Sequence, residues 1–587
     1  MANSGKAFDF KLFKRLLAFT NNYKAVFYFV AVSAIIMSGL AVLSPKLLQI
    51  GIDEAIFPRD SKKLVTIISL MLGVLVLEVI FQFGFIFYAN WLGQNVVKDL
   101  RIKLFNLMMR FKMQYFDKSA VGRLTTRAVN DIETISSIFS QGLFMIISDL
   151  LKMVAIAGIM LYTSWKLALI VFAILPFILY ATRLFQRAMK TAFEEVRNQV
   201  ANLNSYVQER ITGMKIVQIF TREEKDYKEF KEINEKHKKA WVKTVWYNSI
   251  FFPIAEMSSS IAIGLIVWYG GLNAAEGGVI TLGIITAFIQ YSQMFFRPLR
   301  QIADKFNTLQ MGMVAANRVF AILDTKSHIV DTGEKNLENA RGALEFNNVV
   351  FGYNEEETVI KGISFTVKPG EIIAIVGATG AGKSTIINLL SRFYEINSGS
   401  ISVDGTPIKE YTLSSLRDNI AVVLQDVFLF ADTIFNNITL NDASITEEDV
   451  IMAAKQIGVH KFIKTLPGGY QYNVKERGSM LSSGQRQLIA FLRAYVSKPS
   501  ILVLDEATSS VDSYSEELIQ TATEKITKGR TSIVIAHRLA TIKKADKILV
   551  MDAGKIVEVG NHQELLQKEN GYYRNLYEVQ FMTEEAI

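Results

Sequence analysis

Cysteine is absent from this chain. Its absence excludes a disulfide framework, a thiolate metal site and a cysteine nucleophile. No cleavable signal is evident either, because the first apolar run starts near Ala25, is long enough to cross a membrane and lacks a small-residue cleavage pattern. We therefore expect no thiol chemistry and an uncleaved N-terminus on the cytoplasmic side.

Acidic residues do not balance the basic ones, since 64 Lys and Arg stand against 56 Asp and Glu, a formal net charge of +8. A positive charge of this size can indicate a nucleic-acid partner. The basic residues cluster beside apolar runs, however, where contact with anionic lipid headgroups is the simpler explanation. We predict a membrane-lipid partner and no nucleic acid.

Half of the 587 residues are hydrophobic, and the long uncharged runs occur before about Phe320. A window of about twenty residues finds six of them, at residues 25–48, 64–88, 136–162, 166–186, 248–271 and 279–299. The long stretches between them are basic and the links near Ser164 and Glu276 are not, so the positive-inside rule places both termini in the cytosol. We predict a six-helix transmembrane domain over residues 1–323, a linker over 324–342 and a second domain over 343–580.

Two basic stretches, residues 95–131 and 183–243, are too long for simple loops and contain few prolines. Helix-forming residues predominate in both, so we expect the membrane helices to continue as stalks. The helical pattern is interrupted at Tyr115-Phe116-Asp117 with Gly122-Arg123, and again at residues 209–213 and 220–224. These are candidate docking elbows, although a capped hairpin with a solvated charged face also explains them.

Charged residues within or beside the apolar runs are costly unless they face protein or a water-filled cavity. Asp149 is expected to pair with Lys152 at helical spacing. For Glu78 and Glu256, packing between helices and contact with a cationic substrate both stay open.

A glycine-rich loop lies between the apolar run 372–376 and the apolar segment 386–390. A strand, such a loop and a helix in this order, with a lysine and hydroxyl residues at the end of the loop, are the setting of a phosphate-binding P-loop. Backbone N–H groups and the helix dipole favour an anion there, and Lys383 adds charge near the outer phosphates. The sequence predicts ATP or GTP binding, with Ser384 placed to hold Mg²⁺. The loop residues are Gly377, Ala378, Thr379, Gly380, Ala381, Gly382, Lys383, Ser384 and Thr385.

Other apolar segments also end in polar side chains. The run 500–506 ends in Asp505 and Glu506, the run 531–537 ends in His537, and Gln425 follows residues 420–424. Since the strand ends of an α/β sheet face the nucleotide, Asp505 is expected to orient Mg²⁺ and Glu506 to act as general base for the attacking water.

The remaining candidates have weaker signals. His537 is expected to contact the terminal phosphate or to position Glu506, and Gln425 is a further candidate ligand of Mg²⁺. Tyr353 is the last residue of a strand predicted over residues 343–353 and offers an aromatic face on which a purine base can stack.

A short motif, Leu481-Ser482-Ser483-Gly484-Gln485, precedes a helical segment over residues 486–496. It resembles the signature of ABC ATPases. Tyr353, the P-loop, Gln425, the signature, Asp505-Glu506, residues 509–512 and His537 follow one another in that family's order. With the six apolar runs and their stalks, the whole chain resembles an ABC exporter half-transporter of the multidrug and lipid flippase type. The resemblance implies an all-α six-helix transmembrane domain fused to an α/β P-loop ABC ATPase domain.

The resemblance also implies a composite ATP site, in which the signature of one chain, with Ser482, Gly484 and Gln485, covers the ATP held by the P-loop of another. The elbows then resemble coupling helices. The resemblance assigns catalysis to Glu506, His537 and Lys383. It assigns the binding of Mg²⁺ to Ser384, Gln425 and Asp505. Position 483 is Ser where the family has Gly, so a homodimer and a heterodimer with a degenerate half-transporter both stay open.

We therefore expect an ATP-driven exporter subunit that moves an amphiphilic drug or lipid outward or between leaflets, in a bacterial inner (cell) membrane with the ATPase domain in the cytoplasm. The alternative is an ATP-gated channel or regulatory ABC protein, which the retained Glu506 disfavours. A peptide-processing exporter would need an N-terminal protease domain with a cysteine nucleophile, which this chain lacks. Importers generally keep the membrane and ATPase parts on separate chains, so the fusion of the two parts in this chain favours export.

Overall fold

The computed structural model describes residues 9–327, 329, 331–354, 356–506, 513–536 and 538–580. These residues form two compact units. The first takes in the chain up to Met109 and Ala120–Lys326, and the second takes in Arg110–Ser119 and the chain from Ser327 onward. A ten-residue segment from the N-terminal half therefore packs with the C-terminal half.

Helices make up the N-terminal half, as its apolar runs predict. In chain order they are α1 Phe10–Ala18, α2 Lys24–Gly51, α3 Ser61–Met108, α4 Met113–Asp117, α5 Val121–Thr126, α6 Ile132–Ser137, α7 Phe144–Thr163, α8 Trp165–Ala173, α9 Leu175–Thr212, α10 Met214–Ile219, α11 Glu223–Ala275 and α12 Leu282–Leu323. A 3-10 turn, Phe19–Tyr23, joins α1 to α2, and π-helical turns occur at Ile52–Ile56, Arg127–Asp131 and Ile138–Leu143. Helix α4 belongs to the second unit.

Five helical stretches among the described residues are long and apolar enough to cross a membrane. They are Phe10–Ile56, Ser61–Met108, Val121–Thr163, Trp165–Thr212 and Glu223–Ala275. At 43 to 53 residues, each exceeds the roughly twenty residues that span a bilayer, which agrees with the predicted stalks. The sixth apolar run of the sequence, residues 279–299, lies mostly in α12 Leu282–Leu323, which is not among these five stretches. The total of six membrane crossings therefore stays a prediction.

Buried aromatic residues anchor the helical unit. Tyr291 of α12 is fully buried, and its hydroxyl donates to the carbonyl of Val42 at 2.8 Å. The start of α12 is fixed by Asp53, which accepts from the backbone N–H of Gly283 at 3.0 Å.

The predicted ion pair between Asp149 and Lys152 is wrong. The carboxylate of Asp149 pairs with Lys305 of α12 and not with Lys152 one turn away. Packing of one helix on another therefore decides this ion pair.

The second unit contains two sheets. Strands β1 Leu344–Phe351, β2 Ile360–Val367, β4 Ser398–Val403 and β5 Thr406–Pro407 form an antiparallel sheet in the order β2-β1-β4-β5. The larger sheet contains β3 Ile372–Gly377, β6 Ile420–Val423, β7 Ile501–Glu506, β8 Thr531–Ala536, β9 Lys547–Asp552 and β10 Lys555–Gly560. Its strand order is β10-β9-β3-β8-β7-β6, and it is parallel except for β10.

Alternate residues of the central strands pack on opposite faces of the larger sheet. Leu502 and Leu504 of β7 join the cluster formed with the helices Glu447–Ile457, Ser483–Val496 and Ser513–Thr527. Ile501 and Val503 join the cluster formed with the helix Lys383–Leu390 and the antiparallel sheet. Both faces are therefore covered, which explains why these strands read as unbroken apolar runs. The helices of this unit are α13 Lys383–Leu390, α14 Leu413–Asp418, α15 Ile434–Thr439, α16 Glu447–Ile457, α17 His460–Thr465, α18 Ser483–Val496, α19 Ser513–Thr527, α20 Leu539–Lys543, α21 His562–Leu566 and α22 Tyr572–Gln580.

Candidate functional site

The predicted P-loop connects β3 to α13, as the sequence indicates. Gly377 has φ 156°, and a Cβ there would lie 2.2 Å from the carbonyl oxygen of Met551, so a side chain does not fit. Gly382, the residue before α13, has φ 99°, a conformation that favours glycine. The glycines thus let the chain turn tightly from the strand into the helix N-terminus, where N–H groups are left without helical partners.

Lys383 lies inside this loop. Its side chain is buried, and its ammonium donates to the carbonyls of Gly377 at 2.7 Å and Ala378 at 3.0 Å. Burial lowers the pKa of Lys383, while the charge of Asp505 opposes that effect. The loop therefore holds one positive charge in a partly dehydrated position, which is where an anionic phosphate would be attracted most strongly.

Two of the predicted Mg²⁺ ligands meet at this loop. The hydroxyl of Ser384 donates to a carboxylate oxygen of Asp505 at 3.2 Å. Among the described residues, no group of three or more acidic or histidine side chains converges as a metal site of its own, here or elsewhere. A hydroxyl and one carboxylate fit a Mg²⁺ ion that takes its other ligands from water and from nucleotide phosphates.

The other candidates predicted at strand ends are Glu506, His537 and Gln425. Glu506 is the last residue of β7 and pairs in register with Ala536, the last residue of the adjacent β8. His537 and residues 507–512 lie outside the described residues. Gln425 is exposed, two residues beyond the end of β6, and β6 pairs with β7. The sheet order thus brings Asp505, Glu506 and Gln425 to neighbouring strand ends.

The signature motif forms the N-terminus of α18. Ser482 caps the helix, because its hydroxyl accepts from the N–H of Gln485 at 3.2 Å while the side chain of Gln485 accepts from the N–H of Ser482 at 3.0 Å. This capping box starts the helix at Ser483, three residues before the predicted start at Arg486, so that prediction was wrong. Ser482 and Ser483 are exposed and Gly484 is buried.

Tyr353 lies two residues after β1 and is half-buried. Its hydroxyl is 3.2 Å from the hydroxyl of Thr385 and accepts from the side-chain amide of Asn388 at 3.2 Å, both on α13. The predicted base-stacking ring therefore sits beside the P-loop helix. Sequence reasoning missed two residues that contact this region, Gln114 and Tyr394, because no motif marks either of them.

Comparisons with known proteins identify the family. A model of the ABC transporter transmembrane region matches residues 27–299, and a model described as ABC transporter matches residues 360–509. The uncharacterized ABC transporter ATP-binding protein YknV of Bacillus subtilis is 35% identical over 581 residues, which cover 98% of this chain and 96% of that protein. The chain belongs to the ABC transporter family.

Two further relatives of this ABC transporter have names that state a function. The probable multidrug resistance ABC transporter ATP-binding/permease protein YheH of Bacillus subtilis is 37% identical, over 89% of this chain and 78% of that protein. The ATP-dependent lipid A-core flippase of Syntrophus aciditrophicus is 34% identical, over 98% of this chain and 95% of that protein.

Several predictions are confirmed by these findings. The ABC transporter is an integral membrane protein of the exporter type, with an all-helical membrane domain fused to an ABC ATPase domain that has a mixed sheet. It binds nucleotide and couples ATP hydrolysis to transport. Its half-transporter architecture implies dimerisation.

Proposed function

We propose that this chain is the catalytically active half of an exporter dimer that moves an amphiphilic solute or lipid outward or between leaflets of a bacterial inner membrane, with its ATPase domain in the cytoplasm. ATP and Mg²⁺ bind at the P-loop of one chain. The exposed signature of the second chain then covers the triphosphate.

The contact between Ser384 and Asp505 carries this proposal. It joins the residue that follows the P-loop lysine to the carboxylate at the end of β7, at 3.2 Å. These two side chains would hold the Mg²⁺ that neutralises phosphate charge when nucleotide is bound. Lys383 binds the outer phosphates, and Glu506, the next residue after Asp505, accepts the proton of the attacking water. His537 and Gln425 complete the proposed set as phosphate and cation contacts.

The signature helix supports the composite site. Ser482 is exposed at the N-terminus of α18, where the helix dipole favours an anion. A second chain that places this end against an intact triphosphate binds ATP better than the products, so hydrolysis weakens the association of the ATPase domains. Rigid-body separation of these domains would drive the rearrangement of the membrane helices.

The substrate class rests on a separate observation. An open groove of about 490 Å³ in the helical unit exposes both polar and apolar surface, and it is lined by Asn130, Glu133, Thr134, Ser137, Gln141, Thr308 and Met311. Glu133 accepts from Gln94 at 3.0 Å and pairs with Arg101 at 3.3 Å. A groove that exposes both kinds of surface suits an amphiphile, in agreement with relatives named for multidrug resistance and lipid A-core flipping. Stimulation of ATPase activity in nanodiscs, with lipids compared to cationic drugs, would identify the ligand.

The catalytic assignment is tested by the Glu506→Gln variant. Without the base, turnover should fall by about 10²- to 10⁴-fold, while ATP binding persists and the closed ATP-bound dimer accumulates. Steady-state ATPase assays and nucleotide-retention measurements on the reconstituted protein would show both effects. Glu524→Gln is a matched control, because Glu524 is an exposed carboxylate of the same domain that pairs with Lys544. Unchanged turnover in the Glu506 variant would refute the proposed base.

A further inference from the structure

The segment Arg110–Ser119, which links α3 to α5, packs within the ATPase unit. The backbone N–H of Lys112 donates to the carbonyl of Ser327 at 2.7 Å. The side-chain amide of Gln114 donates to the backbone carbonyl of Tyr353 at 3.1 Å. A connection between two membrane helices therefore touches the backbone of the tyrosine proposed to stack on the base.

A second contact reaches the same tyrosine through its ring. The hydroxyl of Tyr394 donates to the carboxylate of Asp117, at the end of α4. The Tyr394 ring meets the Tyr353 ring edge-to-face, with centroids 5.0 Å apart and an interplanar angle of 89°. Phe351 packs against both rings, at 4.9 Å from Tyr353 and 5.7 Å from Tyr394.

These contacts hold Tyr353 from several sides. The carbonyl is bound by Gln114, the ring lies against Tyr394 and Phe351, and the hydroxyl is bound by α13. Burial and the hydrogen bond to Asp117 raise the pKa of Tyr394, so its hydroxyl stays protonated and remains a donor throughout the neutral range. Edge-to-face pairs have a preferred geometry, and a ring anchored at its hydroxyl keeps its neighbour in place.

We infer that Asp117 and Tyr394 are positioning residues for Tyr353, which they hold in the orientation that receives the nucleotide base. The inference rests on the proposed role of Tyr353 in base stacking. It adds a direct link between the α3–α5 connection and base binding. A shift of α4 would move Tyr394, and with it the ring against which the base stacks.

Two single substitutions test the link. Tyr394→Phe keeps the ring and removes the donor, and Asp117→Ala removes the acceptor. Each should raise the KM for ATP by about three- to tenfold, the factor expected for one aromatic or hydrogen-bond contact, with little change in kcat. Asp117→Asn keeps an acceptor oxygen and should recover most of the affinity.

Non-additivity provides the second criterion. If the two residues act through one hydrogen bond, the double variant should be no worse than either single variant. Inorganic tripolyphosphate has no base, so its inhibition of ATP hydrolysis should be unchanged in all of them, whereas general damage to the domain would alter it. Tyr470→Phe is the matched control, since it removes a tyrosine hydroxyl that contacts His460 at 2.9 Å elsewhere in the domain.

Three results would contradict the proposed role of Asp117 and Tyr394. An unchanged KM in both single variants, or KM effects that multiply in the double variant, would overturn the link between Asp117, Tyr394 and Tyr353. A parallel loss of tripolyphosphate inhibition would also overturn it. Tyr353→Ala separates this from the proposed function, because base stacking itself is refuted if that variant leaves the KM for ATP unchanged.

Discussion

At the scale of single residues, burial and charge explain why the P-loop suits an anion. Lys383 is buried and donates to two loop carbonyls, contacts that a phosphate would replace with stronger charge-assisted ones. The sequence located this lysine through its motif. It did not show the direction of the side chain, which depends on the fold of the loop.

Lys383→Ala is predicted to abolish ATP-induced stabilisation. A ligand at 100 times its Kd stabilises a protein by about 2.7 kcal/mol, and this increment should disappear in thermal melts with ATP and Mg²⁺. Because burial lowers the pKa of Lys383, the wild-type affinity should decline as pH rises through that lowered pKa and the ammonium loses its proton. Lys528→Ala, at an exposed turn position directly after α19, is the control. An unaltered melting shift in the Lys383 variant would contradict the assignment.

At the scale of elements, helix caps and strand ends place the candidate side chains. The capping box of α18 exposes Ser482 at the helix N-terminus. The register of β7 on β8 sets Glu506 opposite Ala536. The same capping chemistry recurs at α16, where Thr446 and Asp449 form a box, which allows the structural effect of a cap to be separated from its proposed role in ATP hydrolysis.

Ser482→Ala and Thr446→Ala should destabilise the protein similarly, because each removes one N-cap at a cost of about 1 kcal/mol. Only Ser482→Ala should reduce ATP turnover by an order of magnitude or more, since only that hydroxyl is proposed to reach the terminal phosphate in the second chain. Chemical denaturation and ATPase assays would measure the two effects. Equal turnover in the two variants would show that Ser482 is a cap and nothing more.

At the scale of the whole molecule, the chain forms a helical unit and an ATPase unit, and its proposed ATP site needs a second chain. Apart from Ser483, where the family has Gly, every motif of the site occurs in this sequence, so two copies can supply two sites. The absence of cysteine makes that proposal directly testable, because any engineered thiols would be the only ones present.

A chain with both Thr379→Cys and Ser482→Cys should give a covalent dimer under mild oxidation. Thr379 lies in the exposed part of the P-loop and Ser482 at the start of α18, and a second copy would bring the two positions together across the triphosphate. ATP in the Glu506→Gln background should increase the product, as seen on non-reducing gels. Each single-cysteine variant is a control that should give no covalent dimer. If the double variant gives no product with itself but cross-links to a different half-transporter that carries cysteines at the matching positions of its own P-loop and signature, the functional assembly is a heterodimer.

The sequence by itself determined the membrane runs, the α/β class of the second unit and the P-loop, because hydrophobic periodicity and local backbone chemistry depend on residues that are close together in the sequence. Tertiary structure alone decided which distant side chains meet. It pairs Asp149 with Lys305, brings Ser384 to Asp505 and attaches Asp117 to Tyr394. These partners are separated by more than a hundred residues, and only the packing of helices and the order of strands in a sheet brings such positions into contact.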